Sequence, residues 1–496
     1  MSRSPSHKLT ELLNTLDVWL PLKSFNDFEV GGISCHSKKV REGDVFVAVK
    51  GSACDGQRFI DEAIQRGARA VILQGSEPQS AGRFAVPSIL VPSTRDVLGR
   101  LASEFYGHPS TKMRVAGITG TNGKTTVSYL MEAMLKECGY LPAVVGTINY
   151  RFGSEVIPAT NTTPGAVELQ SLLADMVSGG IEYAIMEVSS HALDQKRTEG
   201  IHFHSALFTN ITRDHLDYHK SYGAYVDSKA RLFEQLPADA FAVINNDDPF
   251  AVRFKRATEA EVLTYGVEHP AQVRAHDIEF SLSKTVFTLT LAGARIRVHS
   301  PLLGIHNVSN VTAAAAWAHK AGIPIPVILA AVEKFSYIPG RLQRLDTDYK
   351  VPFYVFVDYA HTEDALRNSI LALRRFSDKR LIVVFGCGGD RDKAKRPAMG
   401  RTASELSDYV VLTSDNPRRE DPYAIIEDIS KGIKRNNYCV IPERSEAIKT
   451  ALAIAQPQDI VLVAGKGHEV YQIMKDRIVP FDDREEIRTC LRSMTS

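Results

Sequence analysis

This 496-residue sequence lacks the features of secreted proteins, of proteins with a structural zinc site and of membrane-spanning proteins. Its six cysteines are scattered and form no CxxC pair, which argues against a disulfide framework or a structural zinc site. No apolar run approaches the roughly 20 residues that span a bilayer, and Met1–Lys8 lacks the apolar core of a signal peptide. The net charge of +1 gives no overall attraction to nucleic acid or to a membrane. We therefore expect a cytoplasmic protein that acts on small molecules.

The length predicts about three domains, and 44% apolar residues are enough for packed cores. Short β-rich runs such as Asp44–Val49 and Ala70–Leu73 mix with helical stretches in a first region, residues 1–107. The pattern breaks near His108-Pro109-Ser110 and again at Pro339-Gly340, so the second and third regions are residues 108–338 and 339–496. Strands alternate with helical segments in both, which predicts an α/β fold.

In the third region, four apolar runs each end in a cluster of polar residues. The runs are 354–357, 381–385, 409–412 and 460–463, and they lead into 358–362, 386–392, 413–418 and 464–469. Helix-like segments separate them, for example 363–376. This pattern predicts a parallel sheet with a ligand site at the carboxyl ends of its strands.

The most informative stretch runs from Gly117 to Thr126 and reads GITGTNGKTT. It follows a short apolar run and precedes apolar residues at 127, 130, 131, 134, 135 and 138, which form one helical face ending at Gly139. Bare backbone N–H groups and the positive end of the helix dipole would converge there on a phosphate chain. Lys124 would neutralise β- and γ-phosphate charge, and the Thr125 hydroxyl would hold Mg²⁺. A glycine turn before an ordinary core helix is the alternative, but the spacing favours the phosphate loop. Ile118 replaces a glycine of the strict pattern, so this loop is a variant.

Several residues of the middle region could carry metal chemistry. Glu187 ends an apolar run, and its burial would be costly unless it is paired or metal-bound. Asp214, His215, Asp217 and His219 also offer ligands, and we prefer one histidine at a Mg²⁺ site to a zinc pair because no third Cys or His lies close by. We expect His219 at the surface, and the residues alone would place Lys229 there too.

Taken together, these motifs resemble the Mur ligase family, the ATP-dependent amino-acid-adding enzymes of peptidoglycan synthesis. The matching stretches lie between about Ser37 and Glu469: 120–126, 187–191, 209–219, 304–310, 339–341, 358–361 and 465–469. The resemblance implies an N-terminal α/β domain for a UDP-linked substrate, a central P-loop ATPase-like domain with a parallel sheet, and a C-terminal Rossmann-like domain that binds the amino acid. It also implies a bacterial, cytoplasmic and monomeric enzyme that binds ATP and two Mg²⁺ ions, with no nucleic-acid or membrane partner.

The resemblance assigns residues to the nucleotide and to the metal. The catalytic residues it implies are Lys124, Glu187, His215 and Lys229, and the metal ligands are Thr125, Glu187, His215 and a carbamoylated Lys229. The implied ATP contacts are Gly117, Gly120, Thr121, Asn122, Gly123, Lys124, Thr125, Thr126, Asn307, Asn310, Arg341 and Asp358.

The two remaining substrates also receive residues from the resemblance. Contacts to the UDP-linked substrate fall on Ser37, Ser52, Ala53, Cys54, Asn161, Thr162, Thr163, Ser189, Gln195 and Arg197. The family usually has Asp-Ser-Arg where this chain has His36-Ser37-Lys38, so this part of the nucleotide-sugar site departs from the pattern. Residues 415–418, DNPR, are similar to the signature of the branch that adds meso-diaminopimelate to UDP-MurNAc-L-Ala-D-Glu. The diaminopimelate contacts would be Arg391, Asp415, Asn416, Pro417, Arg418, Gly465 and Glu469.

Other functions stay open. A lysine-adding ligase of the same branch is separated by Arg418 alone, and a folylpolyglutamate synthetase would share the loop but would not be expected to have residues 415–418 or the first domain. A P-loop kinase or a non-catalytic nucleotide-binding module would not need Glu187, His215, Lys229 and four polar strand ends together.

Overall fold

The computed structural model describes residues 7–14, 16, 26–51, 54–75, 84–281, 284–375, 379–475 and 477–495. Three main sheets follow one another along the described chain, and they use residues 32–91, 114–300 and 343–464. One sheet therefore falls in each predicted region, while the limits of the domains stay a prediction. Within the described residues, no helix combines the length and apolarity that crossing a bilayer would require.

The first sheet is parallel and has four strands in the order β3-β4-β5-β6. The elements of this region are β1 (His7–Lys8), α1 (Leu9–Leu13), β2 (Glu29–Val30), β3 (Gly32–Ser34), β4 (Asp44–Ala48), α2 (Ile60–Gln65), β5 (Ala70–Gln74), β6 (Ser88–Val91) and α3 (Thr94–Phe105). Both β-rich runs singled out in the sequence form strands, β4 and β5, and β4 is buried along its whole length.

The second sheet has eleven strands in the order β10-β9-β8-β11-β7-β12-β13-β14-β15-β16-β17. Its elements are β7 (Arg114–Thr119), α4 (Lys124–Glu137), β8 (Pro142–Val145), β9 (Asn149–Phe152), β10 (Glu155–Pro158), α5 (Ala166–Ser178), β11 (Tyr183–Glu187), α6 (Ser190–Asp194), β12 (Phe203–Phe208), α7 (Leu216–His219), α8 (Tyr222–Glu234), β13 (Phe241–Asn245), α9 (Ala251–Lys255), β14 (Glu261–Gly266), β15 (Val273–Phe280), β16 (Thr285–Leu291), β17 (Ala294–Ser300), α10 (Ile305–Lys320) and α11 (Ile325–Glu333). The seven central strands, β8, β11, β7, β12, β13, β14 and β15, pair in parallel. Antiparallel strands extend the sheet at both ends, β9 and β10 beside β8, and β16 and β17 beside β15.

The third sheet has six strands in the order β18-β19-β23-β20-β21-β22, of which only β18 runs antiparallel. Its region contains β18 (Gln343–Arg344), β19 (Tyr354–Asp358), α12 (Glu363–Arg374), β20 (Leu381–Phe385), α13 (Lys395–Leu406), β21 (Tyr409–Leu412), α14 (Pro422–Ser430), β22 (Tyr438–Val440), α15 (Arg444–Ala453), β23 (Ile460–Ala464), β24 (Tyr471–Met474), β25 (Arg477–Pro480) and α16 (Asp483–Thr495). All four apolar runs are parallel strands, so the predicted sheet is confirmed. The predicted helix starts at Glu363 and ends at Arg374; residue 376 lies outside the described residues.

Helix α4 shows why the second region folds as the sequence indicates. Val127, Leu130, Met131 and Met134 recur at helical spacing, and each is at most 1% exposed because this face packs on the sheet and on α10. The helix ends where Gly139 takes a φ of 89°, a left-handed conformation that favours glycine.

Polar contacts join the second region to its two neighbours. Asn122 donates to Asp364 over 2.9 Å, and Arg341 donates to the Thr125 hydroxyl over 3.2 Å, so the third region lies against the phosphate loop. On the other side, Lys196 pairs with Asp96 at 2.7 Å.

A buried ion pair fixes two strand ends of the third sheet. Arg444 and Asp483 have fully buried side chains and meet through two hydrogen bonds of 2.7 Å. The same guanidinium donates to the carbonyl oxygens of Ser414 (3.2 Å) and Ala464 (3.0 Å), which follow and end β21 and β23 respectively. Helix α16 thereby holds the loops after these two strands.

We expect Asp483→Asn to loosen this region strongly, because it keeps the side-chain shape but leaves the Arg444 charge buried without a partner. Breaking a buried pair costs about 3–5 kcal/mol. Native-state hydrogen exchange at the amides of β20, β21 and β23 measures the opening free energy of this sheet. Glu485→Gln on the same helix is the control, since the Glu485–Arg488 pair is exposed and should contribute less than about 1 kcal/mol. Equal effects of the two substitutions would contradict the role of the buried pair.

Candidate active site

The phosphate loop joins β7 to α4 through two glycines with positive φ. Gly120 has a φ of 146° and Gly123 a φ of 88°. A Cβ on Gly120 would overlap the Thr209 hydroxyl, and one on Gly123 would overlap the side-chain oxygen of Asn310. Gly123 is also the N-cap of α4, and a glycine has no side chain to occupy the first-turn N–H groups. The predicted strand–loop–helix arrangement is confirmed, while nucleotide binding stays a prediction.

The sequence suggested that the backbone N–H groups of the loop are bare, but two of them are already hydrogen-bonded. Thr121 donates its N–H to the carbonyl oxygen of Asn210 over 2.7 Å, and Asn122 donates to the Asn210 side chain over 3.0 Å. The expectation is therefore wrong for these two residues. Asn210 lies two residues after the end of β12, and its hydrogen bonds hold the loop next to the carboxyl end of that strand.

Lys124 is folded back onto the loop. Its Nζ donates to the carbonyl oxygens of Gly120 and Thr121, both over 2.9 Å. Burial lowers the pKa of Lys124 and outweighs the opposing effect of Glu187 and Asp214. The ammonium group therefore sits in a poorly solvated position beside the helix start, where it can compensate phosphate charge.

Glu187 ends β11 and is only 1% exposed. Its carboxylate accepts hydrogen bonds from the Thr125 hydroxyl (3.0 Å), the Thr147 hydroxyl (2.8 Å) and the Thr147 N–H (3.1 Å). These donors offset the cost of burying the carboxylate. The expectation that a buried Glu187 needs partners is met by these hydrogen bonds, and metal binding stays a prediction. The contact also brings two of the predicted metal ligands, Thr125 and Glu187, together.

Lys229 is buried, which corrects the surface position that the residues alone suggested. It lies on the inner face of α8 with Tyr225 and Phe233 and is 2% exposed. Its Nζ donates to the Gly120 carbonyl over 2.7 Å and lies 4.8 Å from the centre of the Tyr225 ring. Burial, and then the charge of Lys124, hold the pKa of Lys229 well below its usual range.

His215 and His219 lie in different surroundings. His215 has a φ of 53° and faces Asp214 at 3.4 Å. Desolvation in the cleft lowers the pKa of His215 to about 4, although Asp214 raises it. His219 is buried against the Ser190 hydroxyl at 3.0 Å, so its expected surface position is wrong. His191 lies between them, with ring centres 4.7 Å from His215 and 5.6 Å from His219. Across the described residues, no group of three or more His, Cys, Asp or Glu side chains has the arrangement of a metal site.

The four predicted ATP contacts that lie outside the phosphate loop divide into two groups. Asn307 and Asn310 are buried on α10 and hydrogen-bonded to each other over 3.1 Å, and Asn310 lies against Gly123 of the loop. Arg341 reaches the Thr125 hydroxyl and lies over the Tyr359 ring. The Asp358 carboxylate accepts hydrogen bonds from the Leu342 and Ala360 N–H groups and the Ser369 hydroxyl, and thus holds the turn that carries Arg341.

Six of the residues predicted to bind the UDP-linked substrate lie close together in the second region. Arg197 donates to the Thr163 carbonyl (2.9 Å) and to the Gln195 side chain (2.7 Å), and Ser189 donates its N–H to the Thr163 hydroxyl (3.1 Å). Thr162 contacts Thr147, and the Asn161 carbonyl accepts a hydrogen bond from Tyr150. These contacts bring the five side chains of Thr162, Thr163, Ser189, Gln195 and Arg197 to one wall beside Glu187.

The remaining residues of this group lie in the first region. The Ser37 hydroxyl donates to Glu62 over 2.8 Å, and Cys54 is exposed. Ser52 and Ala53 lie outside the described residues.

The predicted amino-acid contacts gather at the carboxyl ends of β20, β21 and β23. Arg418 has a φ of 52° and donates through Nη1 to the Gly389 carbonyl over 2.9 Å. Asn416 donates to Glu469 over 2.8 Å, while Arg391 is exposed near Gly388. Asp415 and Pro417 are buried in the same loop, and Gly465 faces Asp415.

Lys466 was given no role in the sequence analysis, although it lies in the matched stretch 465–469. It is fully buried, with its Nζ 3.0 Å from Glu469 and 3.6 Å from Asp415. A lysine flanked by two glycines gives no burial signal in the sequence, so only the fold shows that it neutralises two of the predicted contacts.

One cavity of about 200 Å³ is lined by all four predicted catalytic residues. Its lining includes Lys124, Thr125, Glu187, His215 and Lys229 from the second region and Arg341 from the third. Asp358, Asn307 and Asn310 are not among its lining residues. Sequence reasoning gave no individual role to six lining residues, Thr147, Ser190, Tyr225, Tyr359, His361 and Thr362, although the last three lie in the predicted strand-end cluster 358–362. Tyr225 could have been found from its position one helical turn before Lys229.

Comparisons with protein families agree with this geometry. Residues 29–106 match the model of the Mur ligase family, catalytic domain; residues 118–318 match the Mur ligase middle domain; and residues 340–467 match the Mur ligase, glutamate ligase domain.

Full-length relatives are similar as well. One relative is the UDP-N-acetylmuramoyl-L-alanyl-D-glutamate–2,6-diaminopimelate ligase of Clostridium tetani, which is 39% identical over 98% of this chain and 100% of its own. The same-named ligase of Solibacter usitatus is 42% identical over 98% of each chain. The same-named ligase of Geobacter metallireducens is 43% identical over 94% of this chain and 95% of its own.

Solved structures of two kinds of ligase resemble this chain to different extents. A UDP-N-acetylmuramoyl-L-alanyl-D-glutamate–2,6-diaminopimelate ligase aligns with a TM-score of 0.68 and 35% identity over 94% of this chain and 96% of its own. The Mycobacterium tuberculosis folylpolyglutamate synthase bound to ADP and AMPPCP has a TM-score of 0.62 and 19% identity, and covers 75% of this chain and 92% of its own. The latter likeness shows a shared fold alone.

We expect Gly123→Ala to weaken ATP binding, because the loop would need a left-handed alanine and Asn310 would have to move. The left-handed conformation alone costs about 1–2 kcal/mol, or roughly 5- to 30-fold in affinity. Calorimetric titration with a non-hydrolysable ATP analogue measures this loss. Gly139→Ala is the matched control: its φ is 89°, and a Cβ there meets nothing within 4 Å. If both substitutions weaken binding equally, contact with Asn310 plays no part.

Proposed function

The chain belongs to the Mur ligase family, and we propose that it joins meso-2,6-diaminopimelate to UDP-MurNAc-L-Ala-D-Glu in an ATP-dependent step of peptidoglycan synthesis. The observation that carries this proposal is the set of relatives, 39–43% identical over nearly the whole chain, that are named for this reaction. The geometry supports it, because a phosphate loop, a buried carboxylate and an arginine-bearing strand-end site belong to one molecule. The expected monomeric state and cytoplasmic location stay predictions, as do the three domain limits.

The reaction needs a phosphoryl transfer and then an amide bond. The D-Glu side-chain carboxylate attacks the γ-phosphorus of ATP, which gives an acyl phosphate and ADP. The amine of the incoming amino acid attacks the acyl carbon, and the tetrahedral intermediate releases phosphate and leaves the amide. Both steps depend mainly on positioning and on stabilising negative charge, and we assign that task to the loop, Lys124 and Arg341.

The donor set around Glu187 fits Mg²⁺. The Thr125 hydroxyl and the Glu187 carboxylate lie 3.0 Å apart at the start of α4, and oxygen ligands with one imidazole from His215 suit a hard cation. When bound, Mg²⁺ would neutralise phosphate oxygens as charge develops. We propose Thr125, Glu187, His215 and a modified Lys229 as the residues that hold two ions, in agreement with the resemblance.

Water must be excluded while the acyl phosphate exists, since hydrolysis would waste ATP. Contacts from the third region support this role: Asn122 binds Asp364, and Tyr359, His361 and Thr362 close one side of the cavity. We infer that the third region covers the phosphate loop during the reaction and withdraws to release products.

The wall formed by Thr163, Ser189, Gln195 and Arg197 is the proposed site for the UDP-linked peptide. Burial lowers the pKa of Arg197, yet an arginine stays charged at neutral pH, so it can bind a substrate carboxylate or phosphate. Ser37 and Cys54 would contact the nucleotide from the first region, where His36 and Lys38 replace the family's usual acid and arginine.

The amino-acid site depends on Arg418. Its Nη1 donates a hydrogen bond to the Gly389 carbonyl, and within the described part of the chain its Nε and Nη2 make no hydrogen bond. That edge of the guanidinium can hold a carboxylate through two parallel hydrogen bonds. Lysine lacks the distal carboxylate and would leave the edge unpaired, which favours diaminopimelate over the lysine alternative.

We predict that Lys229 is carbamoylated in the active enzyme. Burial lowers the pKa of Lys229 and so favours the neutral amine, whose nitrogen can attack the carbon of CO₂. An N–C bond forms, one C=O π pair moves to oxygen, and the nitrogen loses one proton to solvent. Lys229→Ala should be nearly inactive and should regain part of its kcat with a short carboxylic acid that does not activate the unmodified sequence. An intact-mass spectrum showing an unmodified lysine in a fully active enzyme would contradict the prediction.

We predict that the enzyme prefers diaminopimelate to L-lysine by about 10⁴ in kcat/KM, because a site built around a polar group rejects an analogue that lacks it. Phosphate release with ATP, UDP-MurNAc-L-Ala-D-Glu and each amino acid measures the preference. Arg418→Ala should raise the KM for diaminopimelate at least about 100-fold, by loss of a charged bidentate contact, with the other KM values nearly unchanged.

The neighbouring exposed arginine supplies the control: Arg419→Ala should leave the preference intact. Equal use of L-lysine by the unaltered enzyme, or an Arg418→Ala enzyme that keeps its preference, would defeat the proposal. Turnover with a folate acceptor would favour the folylpolyglutamate alternative instead.

A further inference from the structure

The two loops that carry Arg391 and Arg418 are joined by backbone contacts. Gly389 donates its N–H to the Asn416 carbonyl over 2.9 Å, and Arg418 returns a hydrogen bond to the Gly389 carbonyl. A Cβ on Gly389 would overlap the Pro417 carbonyl, so the loops approach as closely as backbones can. The relative position of the two arginines therefore depends on whatever holds these loops together.

Arg396 lies directly behind the loops and is buried. Its side chain is 1% exposed and donates to both carboxylate oxygens of Glu420, over 3.0 and 2.9 Å. It also donates to the Gly388 carbonyl over 3.3 Å and to Asp428 over 3.1 Å. One guanidinium thus contacts the loop after β20, the end of the loop after β21, and helix α14.

Glu420 completes the connection. Besides the two hydrogen bonds from Arg396, its Oε1 accepts the N–H of Asp390 over 2.6 Å. The hydrogen bond from Arg396, the largest cause, lowers the pKa of Glu420 to about 2, so the carboxylate is charged at every pH at which the enzyme would work. Glu420 is two residues from Arg418, and Asp390 precedes Arg391, so this carboxylate ties the two arginines through their chain neighbours.

The place of Arg396 in its helix indicates a positional role. It is the second residue of α13, where the positive end of the helix dipole disfavours a cation. A buried ion pair is also a poor source of stability, since apolar residues of similar volume often serve as well. What an apolar residue cannot do is fix two loops through directed hydrogen bonds.

We propose that Arg396, acting through Glu420, is a positioning residue that sets the separation of Arg391 and Arg418 and thereby the selectivity for an amino acid with a distal carboxylate. The proposal rests on the proposed function, because it concerns the same amino-acid site. Neither Arg396 nor Glu420 contacts the substrate in this scheme. Both act by holding the loops, and a displacement of about 1 Å at such a site can cost roughly 100-fold in rate.

Glu420→Gln tests the proposal with little change of shape, since it removes the charge and one acceptor while the side chain stays at the same place. We expect the KM for diaminopimelate to rise about 10- to 100-fold, the KM values for ATP and the UDP-linked substrate to stay within about twofold, and kcat at saturation to change little. The preference for diaminopimelate over L-lysine should fall at least tenfold. Arg396→Lys, which keeps the charge but loses the planar fork, should show the same pattern.

Two comparisons separate positioning from general destabilisation. Glu427→Gln changes an exposed glutamate on α14 and should leave every KM unchanged. If Arg396 and Glu420 act as a unit, the double variant Arg396→Lys/Glu420→Gln should be no worse than the more impaired single variant. A parallel rise of all three KM values with a lowered melting temperature would show a merely structural role and overturn the proposal.

The remaining outcomes distinguish this proposal from the one on which it rests. If the unaltered enzyme does not use diaminopimelate, the proposed function fails before any variant is made. If it does use diaminopimelate, and Glu420→Gln and Arg396→Lys keep its KM and its preference over lysine, only the positioning role of Arg396 fails.

Discussion

The missing side chains of Gly120 and Gly123 create the space around which the active site is packed. Thr209 fills the space beside Gly120, and Asn310 fills the space beside Gly123. Lys229 approaches the carbonyl of Gly120 from α8. The sheet, α10 and α8 thus meet on one stretch of backbone that no other residue type would allow. Because these elements are distant in the chain, the loop holds its shape only when the whole second region is folded.

Charge in the cleft is arranged for a polyanion. Lys124, Lys229 and Arg341 line the same cavity, and the carboxylates of Glu187 and Asp214 face them. Burial drives Lys124 towards its neutral form, so the energetic cost of this cation falls while no phosphate is present. Arrival of a triphosphate would reverse that balance, since an adjacent negative charge favours the protonated amine. The site therefore stores little electrostatic strain when empty of substrate and gains attraction when substrate enters.

Local patterns in the sequence predicted a large part of this structure. Helical spacing from Val127 to Leu135 and the four apolar runs of the third region gave the right elements, since each pattern reflects burial of one helix face or of a whole strand. The burial of Lys229 and His219 could not be read in this way, because Lys229 packs against the phosphate loop and His219 against Ser190 and Tyr225, all distant in the chain or on other elements. Lys466 and Arg396 were overlooked for the same reason: a basic residue in a polar stretch looks solvated until distant carboxylates surround it. Resemblance to a family assigned a role to Lys229 and none to Arg396.

The ion pair between Arg444 and Asp483 has a consequence for biosynthesis. The two residues are 39 positions apart in the chain, and the arginine leaves the ribosome first. Until α16 has been synthesised, Arg444 lacks the Asp483 carboxylate that compensates its charge in the core. The carbonyl groups of Ser414 and Ala464 then lack their common hydrogen-bond donor. The strands of the third sheet can pair earlier, but the loops after β21 and β23 gain the support of the Arg444–Asp483 pair only when α16 is present. A nascent chain stalled before Asp483 would thus lack one of the contacts that hold the strand-end loops of its third sheet, and would expose an incompletely packed region to chaperones and proteases.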